Sequence, residues 1–269
     1  MSKREPLPKI FDKYAYYTRA VQSPDADVEF LRDCYRELNG KLPKTLREDF
    51  CGTFANSCAW VKLHKEFSSY GIDLDEEPIG YGKKHHLSAL TEEQQQRIHL
   101  LHANVLDQGL PVVDIIAAMN FSFFVFKERR QLWKYFENCY KSLNPEGLLI
   151  ADCFGGSQCY EALEEETDHG DFSYFWDLDE FNPVNNQVKY YIHFKLKNEK
   201  EKREKCFSYD WRMWSITEIR EVMEEVGFKN TYVYWEGTTD QGEGDGCFQR
   251  TERGEECEAW IAYIVGQKV

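Results

Sequence analysis

The 269-residue chain lacks the features that mark several large classes of protein. No apolar run approaches the roughly eighteen residues that a membrane-spanning helix needs. The nine cysteines include no Cys-x-x-Cys pair and no Cys/His spacing typical of a zinc site. No signal-peptide pattern opens the chain. We therefore expect reduced thiols in a cytoplasmic protein that has no membrane association and no metal.

Basic residues are also scarce. The chain has 33 Lys and Arg against 47 Asp and Glu, which gives a formal net charge of −14. The densest basic stretch, 195–205, is interleaved with Glu199, Glu201 and Glu204, so it is balanced in charge. Nucleic-acid binders usually present a basic face, because neutralising phosphates supplies much of their affinity. The composition therefore predicts a protein without a nucleic-acid partner.

Strand and helix patterns alternate through the first half of the chain, after two N-terminal helices predicted at 10–21 and 24–38. The predicted strands are 45–50, 67–72, 98–102, 112–119 and 147–154. Helical patterns separate most of them, with amphipathic stretches at 78–90 and 127–143. This alternation predicts a mostly parallel sheet with helices on both faces.

The alternation breaks after Gly156. Residues 172–181, 187–197 and 201–211 are predicted to be antiparallel strands. A capping box at Ser215–Glu218 opens another helix, and 228–235 and 259–265 complete a seven-stranded main sheet. The Gly- and acid-rich stretch 236–256 is predicted to be a long loop. We divide the chain into an N-terminal helical lid (1–43), a main domain (44–156 and 215–269) and a β insertion for substrate (157–214).

Three predicted strand ends carry residues suited to a nucleoside ligand. They are Glu48, Cys51, Gly52 and Thr53 at the first strand, Asp73 at the second, and Asn104 and Val105 at the third. Open parallel sheets bind ligands beyond the carboxyl ends of their strands. The Asp73 carboxylate can accept both hydroxyl protons of a ribose, and the Asn104 amide with the Val105 N–H can read an adenine edge. Each feature alone also fits a turn or a helix cap, and their combination indicates a nucleoside site.

At these residues the chain resembles the class I S-adenosylmethionine-dependent methyltransferases. The similar segments are 46–54 (Leu-Arg-Glu-Asp-Phe-Cys-Gly-Thr-Phe), 71–75 (Gly-Ile-Asp-Leu-Asp), 102–107, 114–120 and 143–150. The resemblance is closest to a bacterial group of small-molecule methyltransferases, and there it continues through 209–212, 234–237 and 259–263. It implies a Rossmann-like sheet and an S-adenosylmethionine cofactor.

The resemblance also implies roles for individual residues. The cofactor would be held by Tyr17, Glu48, Cys51, Gly52, Thr53, Asp73, Leu74, Asn104, Val105 and Met119. Asn120 would lie beside the transferred methyl group as the catalytic residue. Glu48 could instead be a solvated or helix-facing carboxylate, and Asn120 could equally be a plain strand end.

Phe50 and Phe54 replace the outer glycines of the family's first motif, which leaves Gly52 as the only glycine of the loop. We therefore expect ordinary backbone dihedrals at the two phenylalanines. A nicotinamide dinucleotide needs room for a pyrophosphate at this turn, so the departure weakens a dehydrogenase interpretation more than a methyltransferase one.

The predicted substrate residues follow the fifth strand or precede the first. They are Tyr14, Trp176, Trp211, Arg212, Trp214, Trp235 and Glu236. We expect Arg212 and Glu236 to face the same cavity as the sulfonium, with at least one tryptophan on its wall. The alternatives are a surface ion pair for Arg212, core packing for the N-terminal tyrosines and a subunit interface for the insertion.

The sequence thus predicts methyl transfer from S-adenosylmethionine to a nitrogen or oxygen of a small molecule. The alternatives are an RNA or protein methyltransferase, a non-catalytic nucleoside-binding protein and, less favoured, an NAD-dependent oxidoreductase. The acidic loop hints at a cationic or amine-bearing substrate. The oligomeric state stays open.

Overall fold

The computed structural model describes residues 7–8, 10–239 and 244–269. Within them the chain forms two β-sheets and seven α-helices. The helices are α1 (Lys13–Val21), α2 (Pro24–Asn39), α3 (Ala55–Leu63), α4 (Glu76–His85), α5 (Glu92–Gln95), α6 (Arg129–Lys141) and α7 (Ile216–Val226). Single 3-10 turns lie at Leu87–Ala89, Ser122–Val125 and Ser157–Tyr160.

The central sheet of the described residues has eight strands in the order β11-β10-β12-β5-β4-β1-β2-β3. These strands are β1 (Thr45–Asp49), β2 (Ser68–Asp73), β3 (Ile98–His102), β4 (Val113–Ala118), β5 (Leu143–Gly155), β10 (Asn230–Thr238), β11 (Gly244–Thr251) and β12 (Trp260–Gln267). Strands β1 to β5 pair in parallel, while β12 runs antiparallel to β5. The chain reverses its direction of growth across the sheet between β1 and β4, so a crevice opens at their carboxyl ends.

Residues two apart on a strand face the same side of a sheet, and the register sorts the core into two layers. Leu46, Ile115 and Ile150 face α2 and α3, whose buried residues include Val28 and Trp60. The opposite face of the sheet packs on α6 and α7. Glu48 and Asp152 continue the first layer towards the carboxyl end of the sheet, so both point to the side that α2 and α3 cover.

The opposite face contains a buried ion pair under α6. Arg47 and Asp49 are both 0% exposed, and the guanidinium donates to both carboxylate oxygens at 2.8 and 3.0 Å. The Tyr135 hydroxyl donates to the same carboxylate at 3.0 Å. A buried pair of this kind is tolerated because each charge has a partner and further hydrogen bonds, so we assign it to the core.

The second sheet is the predicted insertion. It has the order β6-β7-β8-β9, with strands β6 (Leu163–Asp168), β7 (Phe172–Asn182), β8 (Gln187–Leu196) and β9 (Arg203–Arg212). One face is aromatic, and α1 packs on it through Tyr16, which contacts Phe172 and Phe194. The N-terminal segment is therefore divided, because α1 covers the second sheet while α2 belongs to the central core.

Two strands differ from the prediction. The stretch 236–256 contains β11, which pairs with β10, so the described central sheet has eight strands rather than seven. The insertion contains β6 before the three predicted strands, and every residue of β6 is exposed. Neither strand carries an alternating apolar pattern, because one is an edge of the central sheet and the other an edge of the insertion.

Candidate active site

The loop after β1 has left-handed backbone at alternate positions. Phe50, Gly52 and Phe54 have φ of 56°, 51° and 47°. The expectation of ordinary dihedrals at the two phenylalanines was therefore wrong. A left-handed non-glycine residue costs about 1–2 kcal/mol. Full burial of the Phe54 ring and partial burial of the Phe50 ring against Phe126 and Tyr135 offset that cost.

The rings of this loop have dedicated space. Phe54 is 0% exposed and lies in a cluster with Cys58, Val61 and Ile79. Gly82 on α4 provides the room, since a Cβ there would lie 2.2 Å from the Thr53 carbonyl oxygen and 2.5 Å from Phe54 Cε1. A phenylalanine at position 54 of the loop is thus accommodated by a glycine, Gly82, on the helix that packs against the loop.

Asp73 ends β2 directly beside this loop. Its Oδ2 accepts a hydrogen bond from the Gly52 N–H at 2.7 Å, and Oδ1 accepts from the Asp75 N–H at 2.9 Å. An ionised carboxylate has about four acceptor positions, so two remain for a ligand. Leu74, the next residue, is 60% exposed. A Cβ built at Gly52 would meet nothing within 4 Å, so the loop leaves open space at this residue.

Glu48 lies on β1 and is only 6% exposed. Its Oε2 accepts from both the N–H and the hydroxyl of Ser57, at 2.8 and 2.6 Å, in the first turn of α3. Burial raises the pKa of Glu48 to about 7, against the lowering effect of these hydrogen bonds. This burial excludes a solvated carboxylate, whereas the two bonds from Ser57 agree with the helix-facing alternative.

Cys51 and Thr53 complete the loop and are both buried. Burial, with nearby Glu48 and Asp73, raises the pKa of the Cys51 thiol well above its usual range. The thiol is therefore neutral, and the loop contributes backbone groups and shape rather than a nucleophile.

The end of β3 forms a compact turn. The Asn104 side-chain oxygen accepts from the Leu106 N–H at 2.9 Å, and the Asn104 N–H donates to Asp107 Oδ2 at 2.9 Å. Val105 is 5% exposed within this turn. The turn brings Asn104 and Val105 to the edge at which β1 and β2 also end.

After β4 the chain turns through two successive left-handed residues, Asn120 (φ 57°) and Phe121 (φ 58°). Met119, just before them, is 5% exposed in the layer under α2. Both turn N–H groups donate to Asp152 on β5, to Oδ2 at 2.7 Å and to Oδ1 at 2.8 Å. Asp152 was absent from the predicted site, although a charged residue inside an apolar strand was a visible signal.

Three carboxylates gather on this side of the sheet. Burial raises the pKa of Asp152 to about 7 and that of Asp27, on the first turn of α2, to about 6. The negative charge of Asp27 raises the pKa of Glu48 and of Asp152 further. The Tyr263 hydroxyl donates to Asp27 at 3.4 Å. No Lys, Arg or His of the described residues forms an ion pair with any of these three carboxylates.

Helix α1 connects the two sheets above this edge. The Tyr14 hydroxyl donates to Glu77 on α4 at 3.1 Å, and Lys13 pairs with the same carboxylate at 2.8 Å. Tyr17 is hydrogen-bonded to Tyr209 on β9. Burial raises the pKa of Tyr17 to about 12, and the negative charge of Asp152 contributes to this rise. Tyr17 and Asp152 are thus close enough to interact.

Two of the predicted tryptophans join the aromatic face of the insertion to the central sheet. Trp176 stacks on Tyr190 with ring centroids 4.4 Å apart, and Trp211 contacts Tyr209 at 4.3 Å. Both also approach Phe154 at the end of β5, at 6.2 and 6.4 Å. These tryptophans therefore lie next to the strand that carries Asp152.

The structure corrects the prediction for Arg212 and Trp214. Arg212 donates to the Lys127 carbonyl and to Glu218 at 3.1 and 3.0 Å, and its guanidinium lies 3.7 Å from the Trp214 ring centroid. Trp214 is 2% exposed and donates to the Phe126 carbonyl. Adjacent strand residues face opposite sides, so Arg212 turns away from the face that Trp211 occupies.

The same alternation separates Trp235 from Glu236. Trp235 packs on Trp260 at 5.1 Å, while Glu236 shares the strand face of Tyr234 and Tyr263. The Glu236 carboxylate accepts from the Gly246 N–H at 3.1 Å, and burial raises its pKa. None of these contacts joins Glu236 to Arg212, and a cavity shared by the two residues stays a prediction.

One group of side chains has the composition of a metal site. Glu164, Asp177 and His193 place ligand atoms within 4.8 Å of one another on the polar face of the second sheet. The Lys205 N–H donates to His193 Nδ1 at 2.8 Å, so the ring proton is on Nε2, which faces Asp177 at 3.0 Å. Lys202 pairs with Glu164. These contacts form an ion-pair network, and we assign the group no metal.

Comparisons with known proteins find similar structures but no similar family model or curated sequence. Among solved structures, an S-adenosylmethionine-dependent methyltransferase from Clostridium acetobutylicum ATCC 824 aligns over 96% of this chain and 98% of its own, with a TM-score of 0.68 and 18% identity. The chain has the fold of the class I S-adenosylmethionine-dependent methyltransferases.

Two further structures share this methyltransferase fold. CalS10, an amino pentose methyltransferase from Micromonospora echinaspora, covers 96% of this chain and 99% of its own, with a TM-score of 0.64 and 12% identity. The sugar N-methyltransferase KedS8 from Streptoalloteichus covers 100% and 98%, with a TM-score of 0.62 and 14% identity. The predicted Rossmann-like fold with an antiparallel insertion is confirmed. Across the described ranges, no helix is long and apolar enough to cross a membrane.

Proposed function

We propose that this protein is an S-adenosylmethionine-dependent methyltransferase acting on a nitrogen or oxygen of a small molecule. The observation that carries the proposal is the meeting of Glu48, Asp73 and the left-handed loop 50–54 at the carboxyl end of the sheet. Ligands of open α/β sheets bind at this place. The shared fold with known methyltransferases supports the assignment.

The residues present fit the cofactor. Asp73 has two acceptor positions left for ribose hydroxyls, and the open space beside Gly52 admits a ligand against the backbone. The exposed Leu74 side chain offers an apolar contact, with Asn104 and Val105 at the adjacent strand end for the adenine. Glu48 would balance the cofactor's ammonium charge.

When bound, S-adenosylmethionine supplies an electrophilic methyl group on a positively charged sulfur. The chain's own task is to orient the acceptor, exclude water and remove a proton. Tyr14 and Tyr17 on α1 shield this edge, so we propose that α1 alone is the lid and that the insertion forms the acceptor side.

We further propose that the acceptor is an amine. Asp27, Glu48 and Asp152 carry up to three negative charges without a cationic partner among the described residues. The cofactor brings a net charge of one, so an ammonium-bearing acceptor would reduce the remaining repulsion. An amino pentose methyltransferase and a sugar N-methyltransferase among the structural neighbours agree with this choice.

Composition supports the remaining parts of the proposal. The net charge of −14 disfavours a nucleic-acid partner. All nine cysteines are free thiols, six of them buried, as expected in a reducing compartment such as the cytoplasm.

Calorimetry with S-adenosylmethionine, S-adenosylhomocysteine and NAD tests the proposal. We expect micromolar-range binding of the first two and none of NAD, with a matching rise in melting temperature. Turnover is then compared between amines and the alcohols that replace the amino group by hydroxyl, by following S-adenosylhomocysteine release. If neither S-adenosylmethionine nor S-adenosylhomocysteine binds, the proposed function is contradicted. If the alcohols are the better substrates, the proposal of an amine acceptor is contradicted.

A further inference from the structure

The turn after β4 is held by one side chain from the neighbouring strand. Asp152 accepts hydrogen bonds from two consecutive N–H groups, those of Asn120 and Phe121, at 2.7 and 2.8 Å. Consecutive backbone N–H groups that converge on an anion form a concave binding arrangement. Here the anion belongs to the protein, and it lies on the strand beside the turn.

The conformation of this turn depends on that contact. Asn120 and Phe121 both have left-handed backbone, which a bulky residue such as phenylalanine rarely adopts. The two charge-assisted bonds and the packing of the Phe121 ring on Phe154, with centroids 4.5 Å apart, stabilise it. Removal of the carboxylate would leave both N–H groups without their acceptor.

We propose that Asp152 is a positioning residue, which holds the Asn120–Phe121 turn in the conformation that faces the cofactor's methyl group. The inference rests on the proposed function, since it takes the end of β4 as the place of the methyl. Asp152 acts through the turn rather than by contact with the methyl. Its two oxygens lie on the backbone N–H groups, one on each.

Ionisation of Asp152 therefore controls the turn. Burial raises the pKa of Asp152 to about 7, so the carboxylate is protonated below that pH and can no longer accept both bonds as a charged group. The titratable groups that face it are Asp27 from α2, Tyr17 from α1, Tyr263 from β12 and the adjacent Cys153. Among these four, Asp27 is the other group that titrates near this range, with a pKa of about 6.

The first measurement uses the wild-type protein. Backbone amide proton shifts of Asn120 and Phe121 are followed by NMR from pH 5.5 to 8.5. We expect both to move downfield together with one midpoint near 7, and Asp27→Asn to lower that midpoint. Amides that do not titrate, or that titrate independently of each other, would overturn the proposal without any ligand being present.

The second measurement compares Asp152→Asn with a matched control. Asp114→Asn removes a similar carboxylate, which accepts from the Lys44 and Thr45 N–H groups at 2.7 and 3.0 Å at the opposite end of the sheet. Binding of S-adenosylmethionine and S-adenosylhomocysteine is measured at pH 8. We expect Asp152→Asn to weaken the methyl-bearing compound about tenfold more than the demethylated one, and Asp114→Asn to weaken neither selectively.

A double-variant comparison tests whether Asp152 acts through Asn120. If it does, Asp152→Asn combined with Asn120→Ala loses no more discrimination between the two compounds than the larger single effect. Additive losses, or equal weakening of both compounds by Asp152→Asn, would refute the positioning role. Failure of the wild type to bind either compound would instead refute the proposed function, and the amide titration would still decide whether Asp152 holds the turn.

Discussion

Alanine substitution of two glycines on α4 should have opposite effects on stability. Helix propensity alone favours alanine over glycine by about 1 kcal/mol. At Gly80 a Cβ would meet nothing within 4 Å, so we expect Gly80→Ala to stabilise the protein by about 0.5–1 kcal/mol. At Gly82 the same atom would lie 2.2 Å from the Thr53 carbonyl oxygen. Overpacking costs about 1–3 kcal/mol, and we expect about 2–3 kcal/mol here because a backbone oxygen cannot rotate away.

We therefore expect Gly82→Ala to destabilise the protein by about 1–2 kcal/mol after the propensity gain. The two variants should differ by about 1.5–3 kcal/mol in urea unfolding followed by far-ultraviolet circular dichroism. Gly82→Ala should also weaken S-adenosylhomocysteine binding, because the displaced Thr53 carbonyl belongs to the loop beside Asp73. Equal stability of the two variants would refute the argument that Gly82 makes room for the loop.

Two further predictions concern the carboxylates of the site. Burial raises the pKa of Glu48 from an ordinary 4.5 to about 7, so the folded state holds the proton more tightly than the unfolded state and loses stability as the pH rises through this window. Between pH 5 and 8, the free energy of unfolding of Glu48→Gln should rise by about 2.5 kcal/mol relative to that of the wild type. The same pH dependence in both proteins would contradict this. Asp73→Ala should weaken cofactor binding by about 1.5–3 kcal/mol in calorimetry, whereas Asp75→Ala, which removes the α4 cap, should weaken it far less.

Periodicity in the sequence was sufficient to predict the layered sheet. Strands such as 112–119 are short apolar runs between amphipathic helices, and such runs have few other places in a fold. The edge strands β6 and β11 escaped prediction because they bury little: β6 is exposed throughout, and its Leu-Glu-Glu-Glu-Thr-Asp sequence has no apolar face. Secondary structure there depends on pairing with β7 and β10, which a local pattern does not encode.

The candidate site divides in the same way. Glu48, Asp73 and Asn104 were predictable, since each follows from its place at the end of a strand. The error at Arg212 was avoidable, because Trp211 and Arg212 are neighbours on one strand and must face opposite sides. The left-handed conformation of Phe50 and Phe54 was not predictable from local sequence, since it depends on ring pockets built by distant residues.

Helix α1 makes two unlike sets of contacts, and this difference bears on how ligands enter and leave. Towards α4 it is held by Lys13 and Tyr14 on Glu77 and by one ring contact, Tyr14 on Tyr81 at 4.8 Å. The Lys13 and Glu77 side chains are 34% and 63% exposed. Exposed pairs of this kind contribute about 0–1 kcal/mol. Towards the second sheet it buries Tyr16 among aromatic rings, which contributes about 1.5–3 kcal/mol. Separation of α1 from α4, next to Asp73, therefore costs less free energy than separation of α1 from the second sheet. We expect the nucleoside to exchange on the α4 side, at a rate that depends on salt, while the acceptor side stays closed.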